Sequence, residues 1–270
     1  MKKFLCALLM PLLLRGVANA DVKVGFLEKL NTTEEEYRNL LIEDRKIIGW
    51  NLLSDSHEGN EEFVFFNSLL EMQMALSRGD IDEVALPKSV AEYMLNTSPE
   101  LAVSSAERIR TVCFAFGFGE NSASLRDRVN SVLREMKSDG TLADLQLKHL
   151  QNPGITDPEP VKFERFDGNE TLTVAVTGDL PPIDYVAADG TPSGFNTAVL
   201  AEIGRRLRMN IKLLDIDAGA RQAALVSGRA NVVFWYLVVL DVEDQVDVPD
   251  NVLLSDSYYE WDKFLYIRKK

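Results

Sequence analysis

The sequence predicts an α/β protein of two doubly wound lobes with a cleft between them. Three observations predict it. Apolar runs of strand length alternate with amphipathic helical stretches, and this alternation stops at a Pro/Gly-rich break and then restarts. Composition agrees: 46% hydrophobic and 26% charged residues make a globular balance that disorder, collagen and coiled coils do not show. A chain of 270 residues is long enough for two lobes, each with its own core.

Residues 1–20 stand apart from this pattern. Lys2 and Lys3 precede the apolar run Phe4 to Leu14, and Ala18-Asn19-Ala20 is an A-x-A cleavage site. That is the layout of a secretory signal peptide, too short for a stable spanning helix. Cleavage after Ala20 leaves a soluble chain from Asp21, with no apolar stretch of spanning length elsewhere.

From Asp21 the elements follow in order. Val22 to Leu27 reads as a strand, and Thr32 with Glu35 forms a capping box that opens a helix to about Leu41. Phe63 to Phe66 is a strand, Ser68 to Ser77 a helix stopped by Gly79, and Ile81 to Leu86 a strand. Ser89 to Leu95 is helical and Thr111 to Phe118 is an apolar strand. Leu125, Val129, Val132 and Met136 recur at helical spacing, so about Ser122 to Lys137 is an amphipathic helix. Asp139-Gly140 ends it, and Leu142 to Leu150 is one more helix.

Residues 151–170 hold Pro153, Gly154, Pro158, Pro160 and Gly168, show little periodicity and read as a linker. The alternation then restarts with a strand from Leu172 to Thr177, a helix from Phe195 to Leu207 and a strand from Ile211 to Leu214. A helix from Ala218 to Ser227 ends at Gly228, and Asn231 to Leu240 is a strand. The organisation is therefore a signal peptide (1–20), a lobe (21–150), a linker (151–170) and a second lobe (171–270). Parallel strands of this kind bind ligands at their carboxyl ends or between lobes.

Charge and cysteine content exclude several functions. Removing residues 1–20 takes away three basic residues and no acidic one, so the formal charge moves from −13 to −16. A nucleic-acid binder needs basic surface to displace counterions, so that partner is excluded. Cys113 is then the one cysteine left, inside the apolar run Val112 to Phe116, and reads as a buried inert thiol. His57 and His149 have no ligand companions. No zinc cluster, Walker A loop, nucleophile elbow or HExxH motif is present, and no cofactor or metal is called for.

Several segments resemble one family, the type II periplasmic solute-binding proteins of family 3, the amino-acid class. In the second half these are the strand Leu172 to Thr177, Pro181-Pro182-Ile183-Asp184-Tyr185 and Asp189-Gly190 followed by Gly194-Phe195-Asn196. Ala224-Leu225 with Gly228 and Asn231, and Ser255 to Tyr259, belong to the same set. The first half resembles the family's second lobe: Lys23-Val24-Gly25, Asn31-Thr32-Thr33, Ala75-Leu76 with Gly79 and Asp82, Val90 to Tyr93, and Asn130 to Met136 with Asp139 to Leu142. The lobes therefore stand in the reverse of the family's order. A circular permutation explains this, as do half-domains from a tandem array.

The resemblance implies a non-enzymatic periplasmic protein. It would capture a small polar solute, an amino acid or amine-like compound, by closing its lobes and deliver it to an ABC-transporter permease. A degenerate or sensory module without a transport role is the alternative. Family members hold their solute with an aromatic ring, an arginine and a carboxylate. Here the ring positions fall on Leu180 and Ile183, with Asp179, Asp184 and Tyr185 nearby. The arginine-bearing strand falls on Phe234, Trp235 and Tyr236 through Glu243, and the amine-binding carboxylate falls near Pro87, beside Lys88. Trp235, Tyr236 and Glu243 could box a cationic amine, or the aromatics could pack a core. Thr32 and Thr33 mark a helix start suited to an anion, or simply to capping.

Overall fold

The computed structural model describes residues 22–27, 35, 39, 61–151, 153–155, 159–187, 189–239, 248 and 251–270. Residues 1–20, Thr32, Thr33 and Glu243 lie outside these. The elements are β1 (Val22–Leu27), β2 (Glu61–Phe66), α1 (Leu69–Arg78), β3 (Glu83–Pro87), α2 (Lys88–Thr97), β4 (Leu101–Gly119), α3 (Ala123–Ser138) and α4 (Thr141–Leu150). They continue with β5 (Thr171–Val176), β6 (Asp179–Leu180), β7 (Asp184–Val186), β8 (Pro192–Ser193), α5 (Phe195–Leu207), β9 (Asn210–Asp215), α6 (Arg221–Val226), β10 (Val232–Val239), β11 (Val252–Leu254) and β12 (Tyr259–Lys269).

The fold is α/β, and its main sheet runs β2-β1-β3-β12-β4-β10-β5-β9, with β11 also paired to β4. Two parallel triples form its ends. β1 pairs parallel with β2 and β3, and β5 pairs parallel with β9 and β10. Between them the long strands β4 and β12 run antiparallel to their neighbours. Each half thus repeats one order: an edge strand (β2 or β9), the strand first in sequence (β1 or β5), an inner parallel strand (β3 or β10), then an antiparallel strand delivered from the other half (β12 or β4). Residues 101–108 of β4 lie beside β12 in one half, and residues 112–119 lie between β10 and β11–β12 in the other. Period alone could not show this. β4 begins ten residues before the apolar run at Thr111, because Leu101 to Arg110 is too polar to read as a buried strand.

Side-chain alternation sets the layers. Val174, Val176, Val232 and Phe234 face the large core, whereas Ala175 and Val233 face a second cluster with Ala224, Leu225 and Val252 under α6. Helix α5 buries Phe195, Val199, Leu200 and Ile203 against the first face. α1 begins with Ser68, whose Oγ accepts from the Glu71 amide at 3.1 Å, and ends on Gly79 at φ 80°. Cys113 is fully buried, and burial pushes its thiol pKa up, consistent with an inert packing residue.

Candidate functional site

The first parallel triple and strand β10 end at the place where the long strands cross, whereas β5 and β9 stop earlier, at the level of Val233. Pro87, at the end of β3, pairs with Phe264 of β12, and Val239, at the end of β10, pairs with Val112 of β4. The β12–β4 ladder shifts register between Trp261 and Lys263 at this crossing. Loops and helix starts collect at the carboxyl ends of β5 and β9, beside Val233 of β10 and Gly117 of β4.

In the second half a short path of loops and helix starts builds a buried polar cluster there. Strand β5 leads into Thr177 and Gly178. The Thr177 hydroxyl (3.4 Å) and the Gly178 amide (3.3 Å) donate to Oδ2 of Asp184, a carboxylate only 1% exposed. The turn through Pro181, Pro182 and Ile183 then meets the start of α5. The Phe195 amide donates to the Pro182 carbonyl at 3.0 Å and the Asn196 amide to the Ile183 carbonyl at 2.8 Å. Only glycine can stand before them. Gly194 has φ 97°, and a Cβ there would lie 2.8 Å from both carbonyl oxygens. Asp189 closes the adjoining turn by accepting from the Thr191 amide at 2.9 Å, which holds its carboxyl pKa down.

Arg221, at the start of α6, is completely buried. Tyr258 stacks on Phe116 with ring centroids 4.3 Å apart and an interplanar angle of 14°, and its ring lies 6.3 Å from that of Phe195. Burial holds the Tyr258 hydroxyl pKa well above its ordinary value; Asp184 pushes the same way and Arg221 opposes. Tyr258 therefore stays a protonated donor. Around this group, the side-chain amide of Asn196, Oγ1 of Thr197 and the Tyr258 hydroxyl are buried without a hydrogen-bond partner among the described residues. Such orphans are rare and cost about 1–3 kcal/mol each.

The first half contributes the start of α2. Ser89 and Tyr259 share a buried hydroxyl–hydroxyl hydrogen bond of 3.3 Å, and Tyr259 also stacks on Phe114 at 5.7 Å. Helix α2 has no side-chain cap, because Pro87 occupies the N-cap position. Behind the site, Ser255 Oγ accepts from the Phe116 amide (2.9 Å) and the Asp256 amide donates to Asn130 (2.7 Å), anchoring the Ser255-to-Tyr259 segment against β4 and α3.

The sequence-derived candidates distribute unevenly over this arrangement. Asp184 sits inside the cluster; Asp179 and Tyr185 are half-buried and face each other across the β6–β7 ladder. Lys88 is exposed and pairs with Glu92 at 3.5 Å. Trp235 and Tyr236 lie on β10, where Tyr236 pairs with Ala115. Sequence reasoning missed Arg221, Asn196, Thr197 and Tyr258. A signal for Arg221 was present: it shares the buried i, i+3, i+4 stripe of α6 with Ala224 and Leu225.

A surface hollow lies elsewhere. About 350 Å³ is lined by residues 163–168 with Thr171, Asn210 and Ile211, at the amino ends of β5 and β9. Asn210 spends its amide on Phe166 and Asn169, so the hollow is a by-product of that loop's packing. Among the described residues no group of histidine, cysteine and carboxylate side chains could hold a metal, and no helix is long and apolar enough to cross a membrane.

Comparison with known proteins follows this geometry. Residues 172–248 match the model of the bacterial extracellular solute-binding proteins, family 3. No curated protein sequence matches the chain. Among solved structures, a zinc-bound ligand-binding component of an ABC-type import system from Staphylococcus aureus is similar at TM-score 0.45 and 11% identity, over 92% of this chain and 65% of that one. The periplasmic aliphatic sulphonate binding protein of Escherichia coli is similar at TM-score 0.41 and 12% identity, over 93% and 65%. A methionine binding protein is similar at TM-score 0.42 and 14% identity, over 92% and 83%. The chain thus spans just under two thirds of the length of the first two.

Proposed function

We propose, from the family 3 solute-binding pattern over residues 172–248, that this chain is a periplasmic solute-binding protein. It captures a small polar solute between its two halves and passes it to a membrane permease of the ABC import type. It acts by binding, with no turnover. Residues 1–20 are its signal peptide, cleaved after Ala20.

One observation carries the reading. Buried polar groups of Asp184, Asn196, Thr197, Arg221 and Tyr258 collect at the strand ends of the half that bears the family pattern, beside both crossing strands. Two strands crossing between bodies are a natural hinge, since bending them moves whole lobes without breaking either core. The lobe order is a circular permutation, with one lobe formed by β1–β3 and β12 and the other by β5, β9, β10 and the second half of β4.

A thermal-shift screen of ligand-stripped protein tests this reading. A solute at a hundred times its Kd stabilises by about 2.7 kcal/mol, a shift of several degrees. Scattering should show the radius of gyration falling as the halves close. A folded protein that no amino acid, amine, sugar or small anion stabilises would instead be a module without transport function.

A further inference from the structure

We infer that the solute is electrically neutral and rich in hydroxyl or amide groups, a polyol or primary amide, held by Asn196, Thr197 and Tyr258. This deepens the solute-binding reading and rests on it.

Asn196 and Thr197 are 0% exposed and Tyr258 is 2% exposed, and the polar side-chain atoms of all three have no partner among the described residues. An amide offers two donors and an acceptor, and each hydroxyl offers one donor and acceptor capacity. With the Tyr258 hydroxyl held in its protonated form, these three side chains are all neutral. Neutral hydrogen-bonding groups are what such atoms match.

The charged members point the same way. Asp184 and Arg221 carry opposite signs, are both buried, and act on the Tyr258 hydroxyl in opposite directions. Among the described residues of the cluster, neither sign is in excess to meet a charged solute. An ion entering this enclosed place would be left without a countercharge, which is costly in a dry interior. Lys88 and Glu92 form an exposed pair with each other. The cluster is walled by the rings of Phe116, Phe195 and Tyr258, so a compact solute with apolar carbon faces fits beside them. Its members are closed to solvent, so a solute reaches them only when this packing opens.

The test is thermal shift on the full mature chain with two probe sets. Glycerol, xylitol, glucose, acetamide and urea are neutral; putrescine, lysine, glutamate and methanesulfonate carry net charge. At least one neutral probe should raise Tm by several degrees, with no comparable shift from the charged set. Thr197→Val and Asn196→Leu should abolish that shift while leaving the solute-free Tm unchanged or higher, since each removes an orphan. Tyr258→Phe deletes a single oxygen and keeps the test open if the larger changes prevent folding. A charged probe that alone stabilises the protein overturns the neutral-solute inference and leaves solute binding standing. Silence from both sets overturns both. A lower solute-free Tm in Thr197→Val and Tyr258→Phe would show that these groups are satisfied within the fold, which also overturns the inference.

Discussion

At the residue scale, Gly194 and Arg221 carry opposite burdens. Gly194 makes room: its φ of 97° and the two carbonyl oxygens 2.8 Å from any Cβ leave no position for a side chain. Gly194→Ala should destabilise the protein by about 2–4 kcal/mol, through left-handed strain plus overpacking. Urea unfolding would show it as a lower midpoint with an unchanged slope; an effect under about 0.5 kcal/mol would mean that the turn relaxes. Arg221 brings charge into the interior. Arg221→Met keeps the volume and leaves Asp184 buried without its nearby countercharge, at a cost of about 3–5 kcal/mol. Adding Asp184→Asn should recover much of that loss, and a double-mutant cycle reads the coupling. Additive losses would show that the two charges do not sense each other.

At the scale of elements, the turn between α3 and α4 joins two helices to a third. Asp139 ends α3 and accepts from the Thr141 amide at 3.0 Å, and Arg206 of α5 reaches Asp139 at 2.9 Å and Glu202 at 2.6 Å. The Thr141 hydrogen bonds, helped by Arg206, hold the Asp139 carboxyl pKa at about 2. The sign follows from linkage. A carboxyl whose folded pKa is depressed contributes stability that is fully present above its unfolded value near 3.8 and is lost as pH falls towards about 2. Asp139→Asn should therefore flatten the pH dependence of unfolding between about pH 4 and pH 2 and lower stability at neutral pH. An unchanged slope in that window would mean that the carboxyl is equally acidic in the unfolded chain. The helices around this turn were legible from their apolar spacing, because Val129, Val132 and Met136 repeat on one face. The tie from Arg206 to this turn was not, since Thr141 and Asp139 are 65 and 67 residues away in sequence.

At the scale of the whole molecule, the first and last strands of the described fold lie close together. Val24 of β1 and Arg268 of β12 both pair with Glu83 of β3, so only one strand separates them, about 10 Å. If the lobe order is a permutation, a short flexible linker should join Lys270 to Val22, with new ends opened at Ile155 and Glu159. The rejoined protein should fold with a Tm within a few degrees of the original and give the same solute response. Loss of folding, or a protein that pairs only as a swapped dimer, would sink the permutation.

Local pattern determined most of the elements. Strand and helix positions follow from periods of two and three to four residues, and the caps Ser68 and Gly79 end α1 where their chemistry requires. The family resemblance of the second half was also readable, because its Gly and Pro positions carry backbone requirements that do not depend on distant partners. Tertiary structure alone decided the reciprocal crossing of β4 and β12 and the burial of Arg221, Asn196, Thr197 and Tyr258 in one region. A polar residue near a helix start looks alike whether it faces water or a neighbouring strand. What buries it here is the return of Tyr258 and Tyr259 against Phe114 and Phe116, more than 140 residues away in the chain. Local periodicity carries no signal from contacts at that range.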